Sequence, residues 1–199
     1  MGAKCSGFLV SRNLIVTAGH CVQSLKDCTD SKWVFDFKVD PAKPETIEVP
    51  TSAVYSCKRI IERVLDEVTK NDYALIQLDR YVSDRKPLQY RSSGIISIGE
   101  DVVVIGHPDG LPTKIADGAM VRSLGPVFFV ADLDSFGGNS GSAVVNHKTG
   151  EVEGILVRGE KDYVLDSSRG CWVPKRCEAK TCSGEDVTLI RNIKSLQNL

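Results

Sequence analysis

No apolar run in this sequence approaches the ~20 residues that a membrane-crossing helix needs. The longest runs, such as Val102-Val103-Val104-Ile105, have the length of a strand, so no membrane partner is expected. An excess of one charge is also lacking: 25 basic and 26 acidic side chains leave a net charge of −1. That balance offers no electrostatic footprint for nucleic acid or an anionic surface. Internal repeats and low-complexity tracts are missing. So is an apolar leader after Met1, where Gly2-Ala3-Lys4-Cys5 follow. Histidine occurs only three times, at positions 20, 107 and 147. Few groups can therefore serve as a base near neutral pH.

Cysteine is not scarce. Seven occur, at 5, 21, 28, 57, 171, 177 and 182. Such use in a chain of this size points to an oxidising compartment, and the protein reads as exported, secreted or periplasmic, with its leader missing. Reduced, buried thiols are the second reading. A zinc site is weaker, because Cys171, Cys177 and Cys182 contain no tight Cys-x-x-Cys pair and no nearby histidine. Cys28 with Cys57 is one candidate bridge, and two of Cys171, Cys177 and Cys182 form another. The odd count leaves a thiol unpaired or paired outside the chain.

The 199 residues suffice for one large domain or two small barrels. Short strand-like runs recur between turn residues. Phe8-Leu9-Val10 and Leu14-Ile15-Val16 flank a hairpin turn, and similar runs cover 33–37, 74–78, 102–105, 127–130, 143–145 and 154–157. Such a series predicts an all-β barrel or sandwich. Arg59 to Val68 has apolar residues at 60, 61, 64, 65 and 68, which fits a helix or an irregular strand. From Asp186 to Leu199 the apolar positions 187, 189, 190, 193 and 196 predict a helix with Asp186 as a candidate N-cap. The polar stretch around 81–97, with Pro87 and Gly94, reads as a connection.

Three segments carry chemistry. Gly137-Gly138-Asn139-Ser140-Gly141-Ser142 places a serine in a glycine-rich bend before an apolar strand. Val16-Thr17-Ala18-Gly19-His20-Cys21 ends a strand in a histidine, and Asp72-Tyr73-Ala74-Leu75-Ile76 opens a strand with an aspartate. A serine hydroxyl needs a base to take its proton, and an imidazole suits that task. The bland reading of each segment is a Gly/Ser loop, a core histidine and a turn aspartate. His107 and His147 lie in turns, and Asp66, Glu67 and Asp79 lack the strand context of Asp72. The backbone amides of Gly138, Asn139 and Ser140, those of Gly138 and Ser140 above all, are placed to hold an oxyanion.

The order His20, Asp72, Ser140 with these flanks resembles the chymotrypsin/trypsin-like serine proteases, in particular a bacterial branch similar to glutamyl endopeptidases. The resemblance implies two packed antiparallel β-barrels of six-stranded type. The first spans about 1–85, and by the family pattern one more strand should precede Cys5, so this barrel is expected to be incomplete. A connection at about 86–97 and a second barrel at about 98–199 with a short C-terminal helix complete the expectation. The resemblance also implies that Ser140 is the nucleophile, His20 the base and Asp72 its orienting carboxylate, and that Cys5 pairs with Cys21. Asp134 holds the spacing of a trypsin-like specificity aspartate, with Ser135, Leu156, Arg158 and Gly159 as further pocket residues. The expected activity is an endopeptidase cutting protein or peptide substrates after Arg or Lys, as a monomer, with no metal or organic cofactor. If Arg158 points inward, preference inverts toward acidic side chains, as in a glutamyl-specific endopeptidase. A catalytically inactive binding module and a serine esterase also fit the same three segments. Asn139 stands where digestive members carry an aspartate, and no Ile-Val-Gly-Gly start exists, so no activation by a freshly cut amine is expected.

Overall fold

The computed structural model describes residues 2–177 and 181–198. The first half forms an open five-stranded sheet from β1 (Phe8–Ser11), β2 (Leu14–Thr17), β3 (Lys32–Val34), β4 (Val54–Leu65) and β5 (Asp72–Leu78), in the order β1-β2-β5-β4-β3. One helix, α1 (Leu25–Asp30), starts on a capping box. Ser24 Oγ accepts the Asp27 N–H at 3.1 Å, and an Asp27 carboxylate oxygen accepts the Ser24 N–H at 2.9 Å. Its buried Cys28 is bridged to Cys57 of β4.

Of the stretch from Arg59 to Val68, open to a helix or an irregular strand in the sequence, residues up to Leu65 belong to β4 and the last three lie in the turn that follows. Two register shifts against β5, at Cys57/Arg59 and Ile60/Glu62, explain the ambiguity. Each inserts a residue and moves the alternation out of phase, so apolar side chains fall at 60, 61, 64 and 65 with a spacing that imitates a helix.

The second half is a closed six-stranded barrel. Its strands are β6 (Asp101–Gly106), β7 (Lys114–Leu124), β8 (Phe128–Ala131), β9 (Ala143–Asn146), β10 (Val152–Arg158) and, after a separate hairpin of β11 (Tyr163–Asp166) and β12 (Cys171–Pro174), β13 (Glu185–Leu189). An open sheet beside a closed barrel, with little helix, fits the all-β architecture that the resemblance implies.

The predicted C-terminal helix is not an α-helix. Residues 185–189 pair with β8 and β10, and two 3₁₀ turns follow, Ile190–Asn192 and Lys194–Asn198; Leu199 lies outside the described residues. Val187 and Leu189 alternate into the barrel core. Ile190, Ile193 and Leu196 then recur every third residue, the period of a 3₁₀ turn.

Those last three residues lie in the seam between the halves. Val16, Tyr73 and Leu75 from the sheet meet Ala143, Ile155 and Val157 from the barrel there. Arg91, in the connecting segment, anchors to Glu153 of β10 through two hydrogen bonds, Nε–Oε2 at 2.5 Å and Nη2–Oε1 at 2.7 Å.

Candidate active site

β2 and β5 are neighbours, with Thr17 opposite Ala74, so the chain ends at one edge of the sheet with His20 and Asp72 close together. His20 sits in the 3₁₀ turn Gly19–Cys21, held by Arg63 Nε donating to the Gly19 carbonyl at 2.8 Å. Asp72 is 4% exposed. Its Oδ2 lies 2.7 Å from His20 Nδ1, and its Oδ1 accepts the His20 backbone N–H at 3.1 Å. This two-point grip fixes the ring. A carboxylate facing Nδ1 selects the tautomer with the proton there and leaves Nε2 as the acceptor.

Ser140 rides on a bend that two glycines make possible. Gly138 and Gly141 have φ of +95° and +90°, where a side chain would be strained. A Cβ on Gly141 would also come within 2.2 Å of the Ser6 carbonyl and 2.3 Å of Thr17 Oγ1. The bend therefore presses against the segment that leads to His20. Ser6 fastens the two. Its N–H donates to the Ser140 carbonyl at 2.8 Å and its hydroxyl to the Gly138 carbonyl at 2.9 Å, while its own carbonyl accepts from Thr17 Oγ1 at 2.7 Å. The Cys5–Cys21 disulfide brackets Ser6 and His20, and Cys21 Sγ lies 3.7 Å from the Ser140 carbonyl. The bridge between Cys5 and Cys21 is the one the resemblance implied.

Within the bend, the Asn139 N–H donates to the Phe136 carbonyl at 3.1 Å. This corrects the inclusion of Asn139 among the oxyanion amides, since that donor is spent on the turn itself. The N–H groups of Gly138 and Ser140 donate to no acceptor among the described residues. The Asn139 side chain is buried and accepts from Ser142 Oγ at 3.2 Å, a structural contact.

Beside Ser140 opens a pocket of about 90 Å³, walled by Ser135, Phe136, Gly137 and Ser140 on one side and by residues 156–160, Asp162 and Glu185 on the other. Ser135, Leu156, Arg158 and Gly159, pocket residues that the resemblance implies, are among its lining. Asp134 is not: it is exposed and does not line the pocket. Leu133 is buried in the barrel, so the extended chain turns Asp134 outward and Ser135 inward. Arg158 reaches the wall, but its guanidinium is occupied elsewhere. Nε donates to Asp186 at 2.7 Å, Nη2 donates to the Lys70 carbonyl at 2.8 Å, and the group lies 5.4 Å from the Phe128 ring centroid.

The pocket is acidic through residues the sequence reading missed. Glu185, at the start of β13, accepts a hydrogen bond from Ser135 Oγ at 3.0 Å. Burial pushes its carboxyl above the ordinary range, and nearby Asp162 and Asp186 add to that, against the lowering effect of Ser135. Glu160 is held down at about 2 by hydrogen bonds from Lys175 and Ser183. Asp162 accepts the Gly137 N–H at 2.8 Å and braces the bend from outside. Its neighbour Tyr163 stacks at a tilt on Phe136, with centroids 5.6 Å apart, and donates to Asp109 at 2.5 Å. No local motif marks Ser6, Asp162 or Glu185, because each acts on a segment distant in sequence.

The remaining cysteines pair as Cys28–Cys57 and Cys177–Cys182, leaving Cys171 free and exposed. The three disulfides fit the oxidising compartment read from the cysteine count. The His107 ring is engaged with the Leu111 carbonyl at 3.0 Å, so His107 meets the site only through its backbone. The His107 N–H donates to Ser6 Oγ at 3.0 Å, and His147 is exposed in the turn after β9.

Residues 5–155 match the family model described as a trypsin-like peptidase domain. A probable serine protease of Lysobacter enzymogenes is 26% identical over 191 residues, covering 83% of this chain and 29% of that protein. The chain thus spans less than a third of that relative's length. Among solved structures, a Glu endopeptidase in complex with MPD matches with a TM-score of 0.67 and 16% identity, over 100% of this chain and 87% of the other. The Rv3671c protease in its inactive form matches with a TM-score of 0.56 and 15% identity, over 96% of this chain and 81% of the other. At such identity the two structures speak for the fold alone.

Proposed function

We propose, for a chain that belongs to the trypsin-like peptidase family, that it is a serine endopeptidase working through Ser140, His20 and Asp72. The observation that carries this is the Asp72 carboxylate gripping both the ring and the backbone of His20, at 2.7 and 3.1 Å, on a segment fastened by Ser6 to the Ser140 bend. In this reading His20 Nε2 takes the Ser140 proton as Oγ attacks the scissile carbonyl. The oxyanion collects the free N–H groups of Gly138 and Ser140. As the C–N bond breaks, His20 returns the proton to the leaving amine, and water then cleaves the acyl-enzyme by the same route.

The preferred residue on the acyl side is Arg or Lys. Support comes from the pocket, where among the described residues carboxylates outnumber cations and the one lining cation, Arg158, is tied to Asp186. That arrangement disfavours a glutamyl preference. Substrates are proteins or peptides, met outside the cytoplasm, as the three disulfides suggest. An organophosphonate should modify Ser140 stoichiometrically, and Ser140→Ala should take up none. Absence of labelling in the native protein would identify an inactive binding module, and labelling with ester but no peptide turnover would identify an esterase.

A further inference from the structure

We propose that the Glu185 carboxylate, entering the pocket from β13, is the group that pairs with the Lys or Arg side chain on the acyl side of the cleaved bond. This rests on the peptidase reading above and names the group that sets its preference.

Three observations carry it. First, position: Glu185 lines the same pocket as Ser140, and its Oε2 is held by Ser135 Oγ at 3.0 Å. Second, Gly159 is shaped around it. A Cβ at Gly159 would lie 1.9–2.1 Å from the Glu185 carboxylate atoms, so the carboxylate lies across a space that only glycine leaves open. Third, Glu185 lacks a countercharge among the described residues, whereas Glu160 has Lys175 and Arg158 has Asp186. Asp162 has no cation either, but its carboxylate is turned to the Gly137 N–H of the bend. A half-buried carboxylate whose partners are a hydroxyl and the Glu160 backbone, with no cation, is costly alone and gains most from an incoming ammonium or guanidinium. Burial raises its affinity for a proton in the empty pocket, in keeping with a missing cation.

The test uses peptide substrates identical except for Arg, Lys, Gln or Glu at the acyl-side position, with kcat/KM measured for each. The native protein should favour Arg and Lys over Gln. Glu185→Gln should lower that ratio by roughly 100-fold or more, the scale of losing one partner of a buried charge pair. Asp134→Asn should leave the ratio as it is. Glu185→Asp should keep a preference for basic residues. Gly159→Ala should lose it without changing any charge, by pushing the carboxylate aside. If Glu185→Gln fails to fold, by its thermal unfolding, the last two variants decide. A ratio preserved in both Glu185→Gln and Gly159→Ala, or abolished by Asp134→Asn, overturns the assignment while leaving the peptidase reading intact. A native protein that labels at Ser140 yet does not favour basic residues overturns the assignment and the proposed preference together. A native protein that does not label overturns the peptidase reading itself.

Discussion

Asp72 acts on His20 at two atoms, so its replacement has an effect separable from packing. Asp72→Asn keeps the shape and can still hold the His20 N–H, but its amide presents a donor or a neutral acceptor to Nδ1. The wrong tautomer then faces Ser140. Steady-state kinetics on a basic peptide should show kcat reduced by about 10⁴-fold, with thermal stability changed little. The pocket carboxylate gives a second residue-level prediction. Glu185 faces Ser135, Asp162 and Asp186, with Arg158 held by Asp186, and burial lifts its pKa. Acidification neutralises it at a higher pH than an ordinary carboxyl. The ratio of kcat/KM for Arg over Gln substrates should therefore fall as pH drops through that raised pKa. Taking the ratio cancels any pH effect common to both substrates. In Glu185→Gln the ratio should stay flat with pH.

At the scale of elements, β4 is fastened to the C-terminal turns by Glu62. Its carboxylate accepts Tyr73 Oη at 2.6 Å, the Ser195 N–H at 2.8 Å and the Lys194 N–H at 3.2 Å. Burial works against its charge, but these hydrogen bonds prevail and hold its pKa below the usual carboxylate value. A lowered folded-state pKa contributes stability that is present above the unfolded value and lost as pH falls through the folded one. Urea unfolding should find Glu62→Gln less stable by about 1 kcal/mol at pH 7, after allowance for solvent screening. The gap should close below about pH 4.

The same strand shows what could be read in advance. Strands that are near-continuous apolar runs, such as 74–78, and the segments around His20, Asp72 and Ser140 are marked by their immediate neighbours, so the sequence displays them. The bulges of β4 depend on pairing with β5, and no local pattern records where a register slips. The pocket acid is hidden for a related reason. Whether Asp134 or Glu185 enters depends on which way the chain turns after buried Leu133 and on how β13 pairs with β8 and β10. The C-terminal turns imitate an α-helix because a repeat of three residues resembles a helical face over so short a stretch.

Over the whole molecule, the crosslinks divide their tasks. Cys28–Cys57 joins α1 to the sheet, whereas Cys5–Cys21 closes the loop that presents both Ser6 and His20. With a sequence separation of 16, the latter should stabilise by about 3 kcal/mol. The double variant Cys5→Ala/Cys21→Ala should unfold at lower urea. It should also lose peptide turnover at urea concentrations where its circular dichroism is still native, because the Ser6 tether loosens first. Coincident loss of both signals would show that the bridge serves only global stability.

The residues between the sheet and the barrel have a further consequence. Val16 and Tyr73 lie there a few positions from His20 and beside Asp72, and Ala143 follows closely after Ser140. Neither half alone can cover this oily face, and neither half alone owns a complete set of reacting groups. On the proposed reading, a newly made chain would gain the power to cut only when its two ends have come together, which would shield partly folded copies from their own chemistry.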